Sequence, residues 1–173
     1  MECVRDSQRS KVYAFQWTLF EEAMRRESLT LGQCQNLLDE VLETYSLFAP
    51  RVKDGRGCRH ARFSPTPFGY AYIVLPRWAR NKPVVLHEAA HAAAHAFRFY
   101  ERHGPAFVRL FIDMISRHAQ DLLSGTEIEI QTLLENRANE NKVKLAPPVG
   151  LQPDDLLPKL LGPKTIVRIG SYL

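Results

Sequence analysis

The chain has 173 residues, of which 45% are apolar and 24% are charged, a composition that excludes a disordered or fibrous protein and fits one hydrophobic core. The formal charge of +4 is mild, so charge alone does not predict a nucleic-acid-binding protein. No uncharged run reaches the roughly 20 apolar residues that cross a bilayer. Because the N-terminus lacks a signal-peptide pattern and three cysteines are too few for a disulfide framework, we expect a cytoplasmic protein without membrane association.

The segment before Pro50 has the apolar spacing of two amphipathic helices. In the first, apolar side chains recur three and four residues apart from about Ser7 to about Glu27. The second is predicted to begin at Thr30, because Gln33 three positions later has the spacing of a capping box.

Two short strands are predicted next, over residues 59–64 and 70–75, where aromatic and β-branched residues are frequent. Basic side chains collect before and within the first of them: Arg51, Lys53, Arg56, Arg59 and Arg62. Such a patch can contact phosphate groups. A solvated loop is the simpler interpretation, so nucleic acid is an alternative partner that the sequence does not favour.

Three more helices are predicted in the second half of the chain. Pro83 suits the first turn of the third helix, which continues through an alanine-rich segment. Pro105 begins a fourth helix, and Thr126 begins a fifth with a second capping box. Helices that surround a small group of strands predict an α+β fold.

The C-terminal part of the chain has a different composition, because proline becomes frequent from residue 146 onward. We therefore predict a single domain over residues 1–145 and a proline-rich arm over residues 146–173. A short strand at residues 165–169 is predicted near the end of the arm.

An HExxH motif, His87-Glu88-Ala89-Ala90-His91, lies within the predicted third helix. Residues four apart share one helix face at about 6 Å, so both imidazoles can bind one ion. Glu88 then lies beside the ion, where its carboxylate can take a proton from a zinc-bound water. The motif predicts a zinc site with His87 and His91 as ligands and Glu88 as general base. Two incidental histidines in an alanine-rich helix are the competing interpretation.

A catalytic zinc ion usually has three protein ligands and one open position, so a third ligand is expected. His103 directly precedes Gly104-Pro105, where the chain can reverse and carry a side chain back to the metal. His95 lies a further turn along the same helix, away from the ion, and Glu101 is the remaining candidate. The geometry favours His103.

The HExxH motif followed by His103-Gly104-Pro105-Ala106-Phe107 resembles the zincin metallopeptidases of the SprT-like group, which pair HExxH with a downstream HGxxF. It also resembles short HExxH metalloproteins of bacteria and phages. The resemblance covers about residues 70 to 111. It implies that His87, His91 and His103 bind zinc and that Glu88 is the base.

The resemblance also implies a zincin-like fold that is rich in helices and has a small mixed sheet, whose edge strand flanks the active-site helix. It places that edge strand at residues 70–75. An extended peptide can pair with the free backbone groups of an edge strand, so Tyr72, Ile73 and Val74 are the predicted substrate-binding residues.

The sequence therefore predicts a zinc metallopeptidase that uses Glu88 to assist the attack of a zinc-bound water on a peptide bond. One alternative is a deformylase-like zinc amidase, in which Cys58 would be a ligand. Another is a non-catalytic, zinc-stabilised nucleic-acid-binding protein of a mobile element, which would not need a base beside the metal. The candidates for stabilising the tetrahedral intermediate are Tyr72, Tyr100, Arg109 and His118.

Overall fold

Five helices, one 3₁₀ turn and three strands make up the part of the chain that the computed structural model describes, which is residues 6, 8–66, 70–99 and 102–146. In chain order these are α1 (Arg9–Arg26), α2 (Leu31–Glu43), β1 (Arg51–Asp54), β2 (Arg62–Pro65), β3 (Ala71–Leu75), the 3₁₀ turn (Arg77–Ala79), α3 (Lys82–Ala96), α4 (Pro105–His118) and α5 (Glu127–Glu140). The predicted α+β class is confirmed. None of the described helices is long and apolar enough to cross a membrane.

Three of the five described helices, α2, α3 and α5, begin at a residue whose side chain accepts a hydrogen bond from a free backbone N–H group. Thr30 and Thr126 each accept a hydrogen bond from the N–H three residues later, and the side chains of Gln33 and Glu129 accept one from the N–H of Thr30 and Thr126, so both predicted capping boxes are present. The cap of α3 was not predicted. There the Asn81 side chain accepts a hydrogen bond from a backbone N–H of the first turn.

The three strands form one mixed sheet with β3 in the centre. β1 pairs with β3 in parallel, and β2 pairs with it in the antiparallel direction. The prediction that residues 70–75 form the edge strand is therefore wrong. Ile73, Val74 and Leu75 are all buried, and buried backbone N–H and C=O groups need the hydrogen-bond partners that two flanking strands supply.

β1 was not predicted, because its four residues are mainly polar and exposed and show no clear alternation. Its position depends on Gly55, where a Cβ atom would lie 2.5 Å from the backbone nitrogen of Pro76. Since β1 and β2 lie on opposite sides of β3, the predicted basic patch is divided. Arg51 and Lys53 belong to one edge of the sheet and Arg62 to the other.

Helix α3 lies inside the core, packed against α1, α2, α4 and β2. Every residue from Pro83 to Ala90 is buried, and small alanine side chains allow the neighbouring elements to approach closely. Phe107 and Phe111 of α4 pack their rings against His87, with centroids 5.1 and 5.3 Å away. The HExxH motif therefore lies on a closely packed helix, with His87 and Glu88 buried and His91 half-buried.

Several predictions fall outside the described residues. They concern the C-terminal arm after residue 146, with its strand at residues 165–169, and two candidate site residues, Tyr100 and Glu101. The last described residue, Ala146, is bonded to α4: its N–H donates to the Pro105 carbonyl, and its own carbonyl accepts from Arg109.

Candidate metal centre

Three histidine side chains converge on one point beside α3. His87 and His91 lie one turn apart on that helix, and His103 lies in the turn before α4. One ring nitrogen of each lies within 4.8 Å of the other two. Among the described residues, these three are the group placed to hold a metal ion. The structure thus brings together the three histidines that the sequence predicted as ligands.

The position of His103 is set by the N-terminal end of the domain. Gln8 donates a hydrogen bond of 3.1 Å to the His103 carbonyl and is also bonded to the backbone of Lys144. The Nδ1 atom of His103 is 2.6 Å from a carboxylate oxygen of Asp6. A carboxylate accepts hydrogen bonds, so Nδ1 carries the proton and the lone pair of Nε2 faces the other histidines.

Burial keeps the three imidazoles neutral, which is the form that binds a metal. It lowers the pKa of His87 well below its usual value and that of His91 to about 3. Burial also lowers the pKa of His103, although the neighbouring Asp6 opposes this shift.

The spacing of the nitrogens tests whether a metal ion fits. The Nε2 atoms of His87 and His103 are 3.2 Å apart, close to the separation of about 3.4 Å for two tetrahedral ligands with metal–nitrogen bonds of about 2.1 Å. An ion between them accepts both lone pairs. These residues could therefore hold a metal ion.

Glu88 lies beside the histidines and is 3% exposed. Burial raises the pKa of its carboxyl to about 7, and a hydrogen bond from the backbone N–H of Phe63 opposes part of that rise. Its Oε2 atom has no hydrogen-bond partner among the described residues. A carboxyl group that titrates near neutral pH and lines a cleft is suited to accept and return a proton.

The cleft that contains this site has a volume of about 510 Å³ and is bordered by β2. The N–H of Phe63 bonds Glu88, so this edge of β2 faces the cleft and not β3. The sequence predicted β3, not β2, as the strand that binds the substrate. Tyr72, Ile73 and Val74 belong to the central strand and do not line the cleft, because β2 lies between β3 and α3.

Tyr13 is a site residue that sequence reasoning missed. Its ring stacks on His87 with a centroid distance of 5.2 Å and an interplanar angle of 19°, and it lines the cleft together with Glu88. Burial raises the pKa of its phenol, and the charge of Glu88 adds to the rise. The hydroxyl therefore stays protonated and can donate a hydrogen bond. Tyr13 lies on α1, far from the motif in sequence, and no local pattern marks it.

The described residues predicted to stabilise a tetrahedral intermediate lie elsewhere. Arg109 is buried and bonded to Glu135 and to the Ala146 carbonyl, and His118 lies beside Glu40. The ring of Tyr72 is covered by the ammonium group of Lys53 at 3.9 Å. None of the three lines the cleft.

The alternative metal ligands His95 and Cys58 do not belong to the histidine group. His95 is exposed and packs its ring against Phe63, with centroids 5.5 Å apart. Cys58 is a half-buried free thiol outside the histidine group. Among the described residues, His103 is therefore the third candidate ligand that the geometry supports.

Comparison with known proteins adds no relatives: the chain matches no protein-family model, no curated protein and no solved structure. The resemblance to SprT-like zincins rests on the two sequence motifs and stays a prediction.

Replacing His103 by alanine should lower the affinity for zinc much more than replacing His95. We expect a loss of more than about 100-fold for His103→Ala, because loss of an outer-sphere partner alone costs about 10- to 100-fold. His95→Ala should be within about twofold of wild type, since its side chain is exposed and outside the ligand group. Competition titration with a chromogenic chelator measures both. Equal losses for the two variants would contradict the assignment.

Proposed function

We propose that this protein is a zinc-dependent peptidase. The observation that carries the proposal is the convergence of His87, His91 and His103 with the buried carboxyl of Glu88 at a cleft bordered by β2. A closed structural zinc site usually has four protein ligands, whereas three ligands and an open position are typical of a catalytic one.

The chain's own residues have distinct tasks in this proposal. His87, His91 and His103 would hold the zinc ion, which supplies Lewis-acid polarisation and lowers the pKa of a bound water to about 7. The Glu88 carboxylate accepts a proton from the attacking water and later delivers it to the leaving amine. The Tyr13 hydroxyl is the nearby neutral donor for the charge that develops on the carbonyl oxygen.

The β2 edge supplies a means of binding the substrate. The outward-facing C=O groups of Phe63 and Pro65 can accept hydrogen bonds from the N–H groups of an extended peptide, which adds to the sheet as another strand. Backbone pairing of this kind does not depend on side-chain identity. It would hold the scissile bond beside Glu88, because Phe63 of β2 already contacts that carboxyl.

The two alternative functions have less support. A deformylase-like site would use Cys58 as a ligand, and this thiol is outside the histidine group. A zinc-stabilised nucleic-acid-binding protein would use the basic patch around residues 51–62, whose members are divided between the two edges of the sheet. A structural site would also leave unexplained the buried Oε2 atom of Glu88, which has no hydrogen-bond partner among the described residues.

Metal removal and restoration test this proposal. The purified full-length protein should contain about one zinc ion per chain and cleave casein or a mixed peptide library. Treatment with a chelator should abolish cleavage, and one equivalent of zinc should restore it. Elemental analysis and mass spectrometry of the digest measure the two quantities. A zinc-loaded protein that cleaves no peptide in the library would overturn the proposal.

A further inference from the structure

The two sides of the cleft differ in charge and polarity, and from this we propose a substrate class. This inference rests on the proposed peptidase function. The substrate is a peptide that carries carboxylates on one side of the scissile bond and a large apolar side chain on the other.

The first side of the cleft is basic. Four exposed arginines line it, together with two exposed histidines: Arg9, Arg62, Arg98 and Arg102, with His60 and His95. None of the four arginines forms an ion pair with another described residue, whereas many arginines elsewhere in the described chain do. The acidic residues of this cleft are Asp6, which is bonded to His103, and Glu88, which is buried. Positive potential in a concave site attracts anionic ligands.

The backbone at Arg98 gives independent support. Arg98 follows the C-cap of α3 with a φ of 58°, in the left-handed region that glycine adopts most easily. A side chain there costs about 1 kcal/mol relative to glycine. The chain nevertheless has an arginine at this position, and its exposed side chain lines the cleft. The end of α3 does not need the Arg98 guanidinium, because glycine would adopt this backbone conformation more easily. A role in ligand binding accounts for the arginine.

The second side of the site is apolar. A neighbouring pocket of about 550 Å³ shares Tyr13 and Glu88 with the basic cleft, and Arg9 and His60 lie on the border between the two. Trp17 and Trp78 line this second pocket. The two indoles are 45% and 54% exposed. Exposed aromatic side chains that form a concave wall are typical of sites that bind an apolar group. The base therefore lies where the basic and apolar surfaces meet.

A peptide fits these features better than a nucleic acid does. The outward-facing C=O groups of Phe63 and Pro65 need a partner that donates hydrogen bonds, because the Phe63 N–H is bonded to Glu88 and Pro65 has no N–H. A peptide backbone does so, whereas a phosphodiester backbone offers acceptors only. Aspartate or glutamate side chains supply the negative charge that the arginines recognise, through charge-assisted hydrogen bonds.

Binding and cleavage of a small peptide set test the inference. The peptides have equal length and combine Asp-Asp or Lys-Lys on one side of the central bond with Phe or Gly on the other, each in both orders. We expect the zinc-loaded Glu88→Gln protein to bind the best Asp-Asp/Phe peptide at least about tenfold more tightly than its Lys-Lys or Gly counterparts. Fluorescence anisotropy measures binding, and the wild-type protein is assayed for cleavage of the same peptides.

Matched variants identify the residues responsible. In the Glu88→Gln background, Arg98→Gly should remove most of the preference for Asp-Asp while leaving the melting temperature equal or higher, because it also relieves the left-handed backbone. Trp17→Ala should remove the preference for Phe and keep that for Asp-Asp. Arg51→Gln, at an exposed position on the far edge of the sheet, is the control and should change neither.

The outcomes separate this inference from the proposed function. Equal binding and cleavage of acidic and basic peptides would overturn the substrate class and leave the peptidase proposal standing. A clear binding preference without cleavage of any peptide would support the class of ligand and overturn the peptidase function. Tighter binding of a single-stranded oligonucleotide than of every peptide, lost in Arg98→Gly, would assign the basic side to nucleic acid and overturn the inference.

Discussion

Replacement of Glu88 by glutamine should leave the metal content unchanged and lower the rate of peptide hydrolysis by about 10²- to 10⁴-fold, the usual contribution of a general base. The amide has almost the same shape, and the three histidines are untouched. Its oxygen cannot take up the proton of the attacking water. Elemental analysis together with initial rates on a cleaved peptide measures both effects.

Glu43→Gln is the matched control for this experiment, because it makes the same substitution at an exposed position of α2 that lies outside the cleft and the ligand group. Its rate should remain within a few-fold of wild type. Cleavage by Glu88→Gln at a similar rate would show that this carboxyl is not the base. Loss of zinc in the Glu88→Gln protein would mean that the carboxyl helps to hold the metal.

The metal-free protein should lose stability steeply as the pH falls from about 6.5 to 4.5. Its three site histidines have lowered pKa values in the folded state. The unfolded chain takes up their protons below a pH of about 6.5, so acid favours unfolding. Glu88 acts in the opposite direction: its pKa is raised to about 7, and the folded state binds that proton first.

The net difference over this range is between one and two protons: the unfolded chain takes up those of His87 and His91 and part of that of His103, and the folded protein takes up that of Glu88. Each proton changes the free energy of unfolding by about 1.4 kcal/mol per pH unit, so we expect a loss of roughly 1.4 to 2.8 kcal/mol per pH unit. Urea denaturation of the chelator-treated protein at several pH values measures the slope. Above pH 7 the stability should become nearly constant with respect to these four groups.

A variant that removes one titrating site checks the cause of this slope. His91→Gln replaces an imidazole by a neutral amide, so its slope should be smaller by about 1.4 kcal/mol per pH unit. His60→Gln, which changes an exposed histidine, should keep the wild-type slope. Stability that is independent of pH between 4.5 and 6.5 in the metal-free wild type would contradict the assignment of buried, neutral histidines.

Site residues that are close to one another in the sequence could be predicted, and those that reach the site from a distant segment could not. His87, Glu88 and His91 follow from the geometry of a single helix turn, and His103 follows from the chain reversal at Gly104-Pro105. Asp6 and Tyr13 reach the site only through the packing of α1 against α3. Nothing in the neighbouring sequence indicates such a contact, so both were missed.

The same distinction holds for the fold. Capping boxes and apolar spacing are local, and the helices that they predicted are present, with ends that differ by a few residues. The order of the strands is not local. Residues 70–75 have the composition of a strand, but their central position depends on β1, a short polar segment that pairs with them because Gly55 allows the close approach. Whether a strand lies at the edge or in the centre of the sheet therefore could not be predicted from the residues of that strand.

The bonds around Gln8 also limit when the site is fully supported during synthesis. Gln8 links the His103 carbonyl, 95 positions later, to the backbone of Lys144, 136 positions later. A chain that is still emerging from the ribosome has the HExxH helix long before it has Lys144. The bonds between Gln8 and Lys144 can form only when nearly the whole domain has been made, so a partly synthesised chain lacks this support for the third histidine.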